Sequence, residues 1–294
     1  MISHKLIIFE VVVILESLSG VTLNSCILAI YIKEWRHGTR LKAFHQVHMS
    51  MALVNIVLQC TVIVVLFVVW SPRYYFKEVL ILLVLSFSFI HLGFWLMTCL
   101  CVYYVVSISN SGHRVWSWLK SNISIIVPKF ILVSAVGSFA LNVPNFWTFH
   151  FQTQNTDSSV NITLSSTNMG DTVHMDPVYQ LISSFLGSFL PIGLSTLCLG
   201  HALTSLLMHM WRIKHTSSTL SRPNLQSHIR AVRSMALILI LCLIFLLAQV
   251  SSFISTPTID NNLYITSCFL MVLFPTLQAL VIIQATLKTL SHYF

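Results

Sequence analysis

The stretch "YYVVSISNSGHRVWSWLK", Tyr103 to Lys120, ends an apolar run, turns basic within a few residues, and sets two tryptophans where a solvated loop would have none. The edge of a bilayer selects that combination, because indoles settle at headgroup level while Lys and Arg face anionic lipid. Upstream, the run 79–108 exceeds the about 20 residues that cross a hydrocarbon core. Six further runs of this kind occupy 7–32, 46–70, 125–148, 178–211, 230–254 and 262–287. The whole chain agrees: its 294 residues are 56% hydrophobic and only 8% charged, with mean hydropathy +0.83, against about 25% charged in a soluble domain. The predicted fold is an all-α membrane protein, a bundle of seven transmembrane helices forming one domain over 1–294.

The first span could pass for a secretion signal, with Lys5 ahead of an apolar stretch. Glu10 and Glu16 interrupt it, however, and no small-residue cleavage site closes it, so it reads as a retained helix. Orientation follows from the cations. The connections after spans one, three and five, with their helix ends and the last segment, hold Lys33, Arg36, Arg40, Lys42, Arg114, Lys120, Lys129, Arg212, Lys214, Arg222, Arg230, Arg233 and Lys288. Only Lys5, Arg73 and Lys77 fall on the other side. The positive-inside rule therefore places the N-terminus outside and the C-terminus in the cytoplasm. The formal net charge of +8 is dispersed in short clusters between apolar spans, which excludes the concentrated basic face that a nucleic-acid partner requires. The lipid bilayer is the implied partner.

The segment 149–177 is the one long polar connection, and the charge count makes it extracellular loop 2. It contains Asn161-Ile162-Thr163, a glycosylation acceptor whose expected site is Asn161. A second match, Asn122-Ile123-Ser124, falls on the cytoplasmic side and should stay unmodified. The seven cysteines all fall in or near the spans, where reduced thiols pack as small hydrophobes.

The sequence contains no His-Glu-x-x-His, Gly-x-Ser-x-Gly or Gly-rich phosphate loop, and no pair of intramembrane aspartates. His45 with His48, and Cys99 with Cys101, lack partners at metal-ligand spacing. No enzyme, metal site or cofactor is expected. The alternative is a small-molecule or proton-coupled transporter. Such proteins carry repeated halves and ionisable groups at depth; no repeat is visible, and His91 and His201 are the main titratable groups away from the helix ends.

Seven spans with basic inner loops suggest a G-protein-coupled receptor, although the Asp-Arg-Tyr and Asn-Pro-x-x-Tyr signatures of rhodopsin-like receptors are missing: the third span ends "SISNSGHR" and the seventh reads "LFPTLQALVIIQATLK". The stretch "WLMTCLCVYYVVSISNSGHRVWSWLK" instead resembles the type 2 (bitter) taste receptors. Trp95, Leu96, Thr98, Leu100, Tyr104, Ile108, Asn110, Trp118, Leu119 and Lys120 match that family in register. Its first-helix Glu, Gly and Asn match Glu16, Gly20 and Asn24, spaced by four and so on one helix face. "SLLMHMWRIKH" and "SHIRAVRSM" resemble its fifth-helix end and the opening of helix six. The chain departs from the pattern where the family carries Arg in helix two (here Asn55), Lys in helix three (here Ser107) and His-Ser in helix seven (here Gln278 and Ala279). It is similar to a divergent member.

The resemblance implies a plasma-membrane receptor for bitter small-molecule agonists, coupled to a heterotrimeric G protein with a gustducin-like α subunit. Trp95 aligns with a cavity-lining tryptophan on the outer half of helix three, and Phe245 and Cys268 with pocket positions in helices six and seven. Cys99 and Met271 complete the apolar lining, with His91, Thr98, Gln249 and Ser252 as sparse polar anchors. At the cytoplasmic face the expected coupling residues are Tyr104, Ser107, Asn110, His113, Arg114, Lys120, Arg212, Lys214, His228, Arg230, Arg233 and Lys288. Pro191 and Pro275 are the expected pivots, since proline removes an intrahelical hydrogen bond.

Overall fold

The computed structural model describes residues 2–36, 42–69, 76–108, 114–152, 172–216, 222–254 and 262–290. Four long helices come first: α1 (Ile2–Arg36), α2 (Ala43–Val69), α3 (Phe76–Ile108) and α4 (Arg114–Asn142). A short helix α5 (Asn145–Thr148) follows, then strands β1 (Phe149–Gln152) and β2 (Thr172–Met175). Helix α6 (Pro177–Ser184) runs through a π-helical turn, Phe185–Phe189, into α7 (Leu190–Thr216), so that these three pieces make one span. The last two helices are α8 (Arg222–Ile254) and α9 (Asn262–Leu290). Among the described residues seven helices are long and apolar enough to cross a membrane, as the hydropathy predicts.

The first four long helices pack in sequence order, as do α7, α8 and α9; α9 closes the ring against α1, and the fifth span joins the bundle through α3, which touches α2, α4 and α7. The burial pattern is that of a bilayer solvent. Leu15, Phe67, Leu132, Val133, Leu197 and Leu247 are exposed, while Glu16, Asn24, Asn55, Gln59, Ser188 and Gln278 are buried. Polar groups turn inward because hydrocarbon offers them no hydrogen-bond partner.

Two boundaries depart from hydropathy. Helix α4 starts at Arg114, eleven residues before the expected 125, so the Trp118 and Lys120 segment is helical rather than a loop. Helix α8 likewise starts at Arg222 rather than 230. A backbone hydrogen-bond ladder continues into water at no cost, whereas hydropathy registers only the hydrocarbon. The described ends of segment 149–177 are strands rather than loop. Its flanks β1 and β2 pair antiparallel, with Phe149 opposite Met175 and Gln152 opposite Thr172.

The fifth span shows why its sequence folds as it does. Asp176 caps α6, its carboxylate accepting from the backbone N–H groups of Val178 and Tyr179 at 2.9 and 3.0 Å, and Pro177 occupies the first helical position, where no N–H is needed. Pro191 would clash with the carbonyl four residues back in a regular α-helix. The turn just before it is instead widened, with the Leu190 N–H donating to the Phe185 carbonyl. Pro275 lies inside α9.

Candidate functional site

The helical repeat turns successive side chains of α3 toward different neighbours. Met97 Sδ accepts from Cys242 Sγ of α8 at 3.7 Å and from Gln278 Nε2 of α9 at 3.6 Å. The Phe94 ring lies 4.5 Å from Phe245 of α8 and 5.4 Å from Phe274 of α9, and those two rings are 5.1 Å apart. Farther round, the Thr98 hydroxyl reaches the carbonyl of Pro191 at 2.9 Å and the Ser195 hydroxyl at 3.0 Å, both on α7. His91 Nδ1 accepts from Asn142 Nδ2 at 3.0 Å. Trp95 faces α4, where its ring meets Phe130 at 6.3 Å.

The expected ligand set is therefore divided. Phe245 joins α3 to α9 through Phe94 and Phe274, two residues that sequence reasoning missed. Trp95, expected on the outer half, lies just past the midpoint of α3 and half-buried on its α4 side. It stands one turn beyond His91, which already meets the last residue of α4. His91 and Thr98 are buried and engaged with α4 and α7. On α8, Phe245, Gln249 and Ser252 share one face; Gln249 is buried with its Oε1 unpartnered, and the Ser252 hydroxyl donates to the Gln249 carbonyl at 2.8 Å. Cys99 is buried, Cys268 is half-buried, and Met271 packs on the core one turn before Pro275. Glycine is required at 187 in the π turn, because a Cβ there would fall 2.4 Å from the His91 ring.

Comparison with known proteins assigns the architecture. Residues 1–293 match the family described as Taste receptor protein (TAS2R). The chain belongs to that family. It is 25% identical to taste receptor type 2 member 41 of Rattus norvegicus over 98% of this chain and 94% of the relative. It is also 25% identical to member 16 of Pan troglodytes over 97% and 94% respectively. The corresponding values for member 40 of Gallus gallus are 23%, 87% and 80%. The family is one of receptors, not enzymes.

In this taste receptor the amino-terminal end of α1 shares one end of the bundle with β1 and β2, and the basic helix ends lie at the other. At that basic end Ser107, Arg114, Lys120 and Arg233 are exposed, and Trp118 is exposed on α4. Tyr104 is half-buried, its ring 6.1 Å from Phe44 of α2. The backbone of Arg212, Lys214, His228, Arg230 and Lys288 is helical. Asn110, His113 and Asn161 lie outside the described residues. Nearby, the Tyr31 hydroxyl and His48 Nδ1 are 2.9 Å apart, and His45 Nδ1 stands 3.5 Å from Glu34 Oε2, so both contacts join α1 to α2.

The taste receptor also carries a polar seam that motif reading registered only as a spacing. Glu16, Gly20 and Asn24 are all buried on one face of α1. Thr276 donates to Glu16 Oε1, and Gln59 Nε2 donates to Thr276 Oγ1 at 2.7 Å. One layer further along, Asn55 Nδ2 donates to Gln278 Oε1 at 3.0 Å and to Asn24 Oδ1 at 3.3 Å. Asn55 and Gln278, two of the departures from the family pattern, are thus bonded to each other.

Proposed function

We propose that this taste receptor binds bitter small molecules in a cavity toward the amino-terminal end of the bundle. The cavity lies among α3, α7, α8 and α9, and agonist binding there activates a heterotrimeric G protein with a gustducin-like α subunit at the basic end. In this reading the protein resides in the plasma membrane with its N-terminus extracellular and Asn161 glycosylated. The single observation that carries it is the Phe94, Phe245 and Phe274 cluster, three helices meeting through rings one turn from Gln249, whose buried Oε1 has no partner. Such a surface binds flat apolar molecules through area, at about 25 cal/mol per Å², with few directional contacts to restrict chemistry. Cys99, Cys268, Met271 and Ser252 extend the lining, His91 and Thr98 hold its α4 and α7 walls, and Trp95 marks the α4 side.

Activation requires a state that agonist favours over the resting one. The widened turn before Pro191, between α6 and α7, and the proline at 275 inside α9 give the fifth and seventh spans points about which their halves reorient. The coupling residues are then Tyr104, Ser107, Asn110, His113, Arg114, Lys120, Arg212, Lys214, His228, Arg230, Arg233 and Lys288. Calcium imaging of cells expressing the chain with a promiscuous G-protein α subunit, against a panel of bitter compounds, tests the reading. An agonist response that Phe245→Ala weakens at normal surface expression is the expected result; substrate flux in proteoliposomes without GDP exchange would overturn it.

A further inference from the structure

The carboxylate of Glu16 is buried within the bundle and accepts from Thr276 through one oxygen only. Its Oε2 has no partner, and neither does Oε1 of Gln59 or the hydroxyl of Ser17, all three enclosed within the protein. Glu16 and Gln59 both bond the Thr276 hydroxyl, which brings the two side chains together where α1, α2 and α9 meet. Among the described residues Glu16 has no ion-pair partner. The adjoining layer of Asn24, Asn55 and Gln278 consists of neutral amides that bond one another. An unpaired carboxylate in low dielectric is strongly disfavoured unless a proton or a cation neutralises it, and three enclosed oxygens without donors suit a cation.

We propose that Glu16 Oε2, Gln59 Oε1 and the Ser17 hydroxyl, with Thr276 fixing the first two, bind a sodium ion between α1, α2 and α9. Hard cations take oxygen ligands of these kinds. One carboxylate matches one positive charge, whereas a divalent ion would leave a net charge buried. The space is narrow: the helices approach so closely at Gly20 that an added Cβ would fall 1.9 Å from Gln59 Nε2 and 2.3 Å from Thr276 Oγ1. A small ion fits that approach better than potassium. Bound there, it ties the first two helices to the last and favours the packing seen here.

The test is thermal unfolding of the purified full-length receptor at fixed pH and ionic strength in sodium, potassium or choline chloride, with no agonist or G protein present. Sodium at about 100-fold above its dissociation constant should raise the midpoint by roughly 3–6 °C over choline, and potassium by less. Glu16→Gln should abolish the sodium shift, and Gln59→Leu should raise the half-saturating sodium concentration at least tenfold. Equal midpoints in all three salts, or a sodium shift retained by Glu16→Gln, would overturn the proposal. Should Glu16→Gln fail to express, wild-type half-saturation in Gln59→Leu overturns it equally. Neither result bears on the agonist reading, which the calcium assay decides separately.

Discussion

Between α1, α2 and α9 the helices meet through hydrogen bonds, Glu16 to Thr276 to Gln59 and Asn24 to Asn55 to Gln278. Between α3, α8 and α9 they meet through the rings of Phe94, Phe245 and Phe274 and the sulfurs of Met97 and Cys242. Inside a bilayer, where lipid is as apolar as Leu, association depends on close packing and directed polar contacts. The polar seam fixes register, since each donor there has few alternative acceptors. The aromatic seam is less directional and can repack around a guest. One side of the bundle is thus suited to holding the fold and the other to responding.

The largest effect should come from breaking the polar seam at its narrowest point. Gly20→Val should push aside both Gln59 and Thr276 and destabilise the receptor by about 3–6 kcal/mol, through overpacking plus stranded polar groups. Loss of surface expression and of a cooperative melting transition would register it, whereas normal expression would mean that the seam is soft.

Mutations in the aromatic seam should instead change response more than stability. Phe94→Ala or Phe245→Ala should weaken agonist potency roughly 10- to 100-fold at near wild-type expression, equivalent to about 1.4–2.8 kcal/mol. Trp95→Ala is the informative contrast, because its ring faces Phe130 of α4. A smaller potency shift than Phe94→Ala, measured by dose response, would put the α8 and α9 side at the centre of the site. A larger shift would return the site to the α4 side.

Removing a single cross-helix hydroxyl should matter less. Thr98→Val deletes the link from α3 to Pro191 and Ser195 and should cost about 0.6 kcal/mol, the typical value for such bonds in membranes. That predicts a fall of about 1–3 °C in the melting midpoint. Least of all, Trp118→Ala, exposed on α4, should change stability by less than about 0.5 kcal/mol and leave agonist potency intact. A lowered maximal response from that variant would mark the ring as a G-protein contact.

Much of this was legible in the sequence. The seven spans, the basic end, the single face of Glu16, Gly20 and Asn24, and the family itself all follow from composition, spacing and motif, because a bilayer imposes length and polarity on every segment that crosses it. Register and facing were not legible. Phe94 and Trp95 are adjacent aromatics of similar hydropathy, and only the rotation of α3 in its ring of neighbours sends the first to Phe245 and the second to Phe130. Asn55 and Gln278, 223 positions apart, become partners only when α9 closes against α1 and α2. Hydropathy along one chain records which groups must avoid lipid, while which groups meet depends on how seven rods rotate and pack, and that information belongs to no single rod.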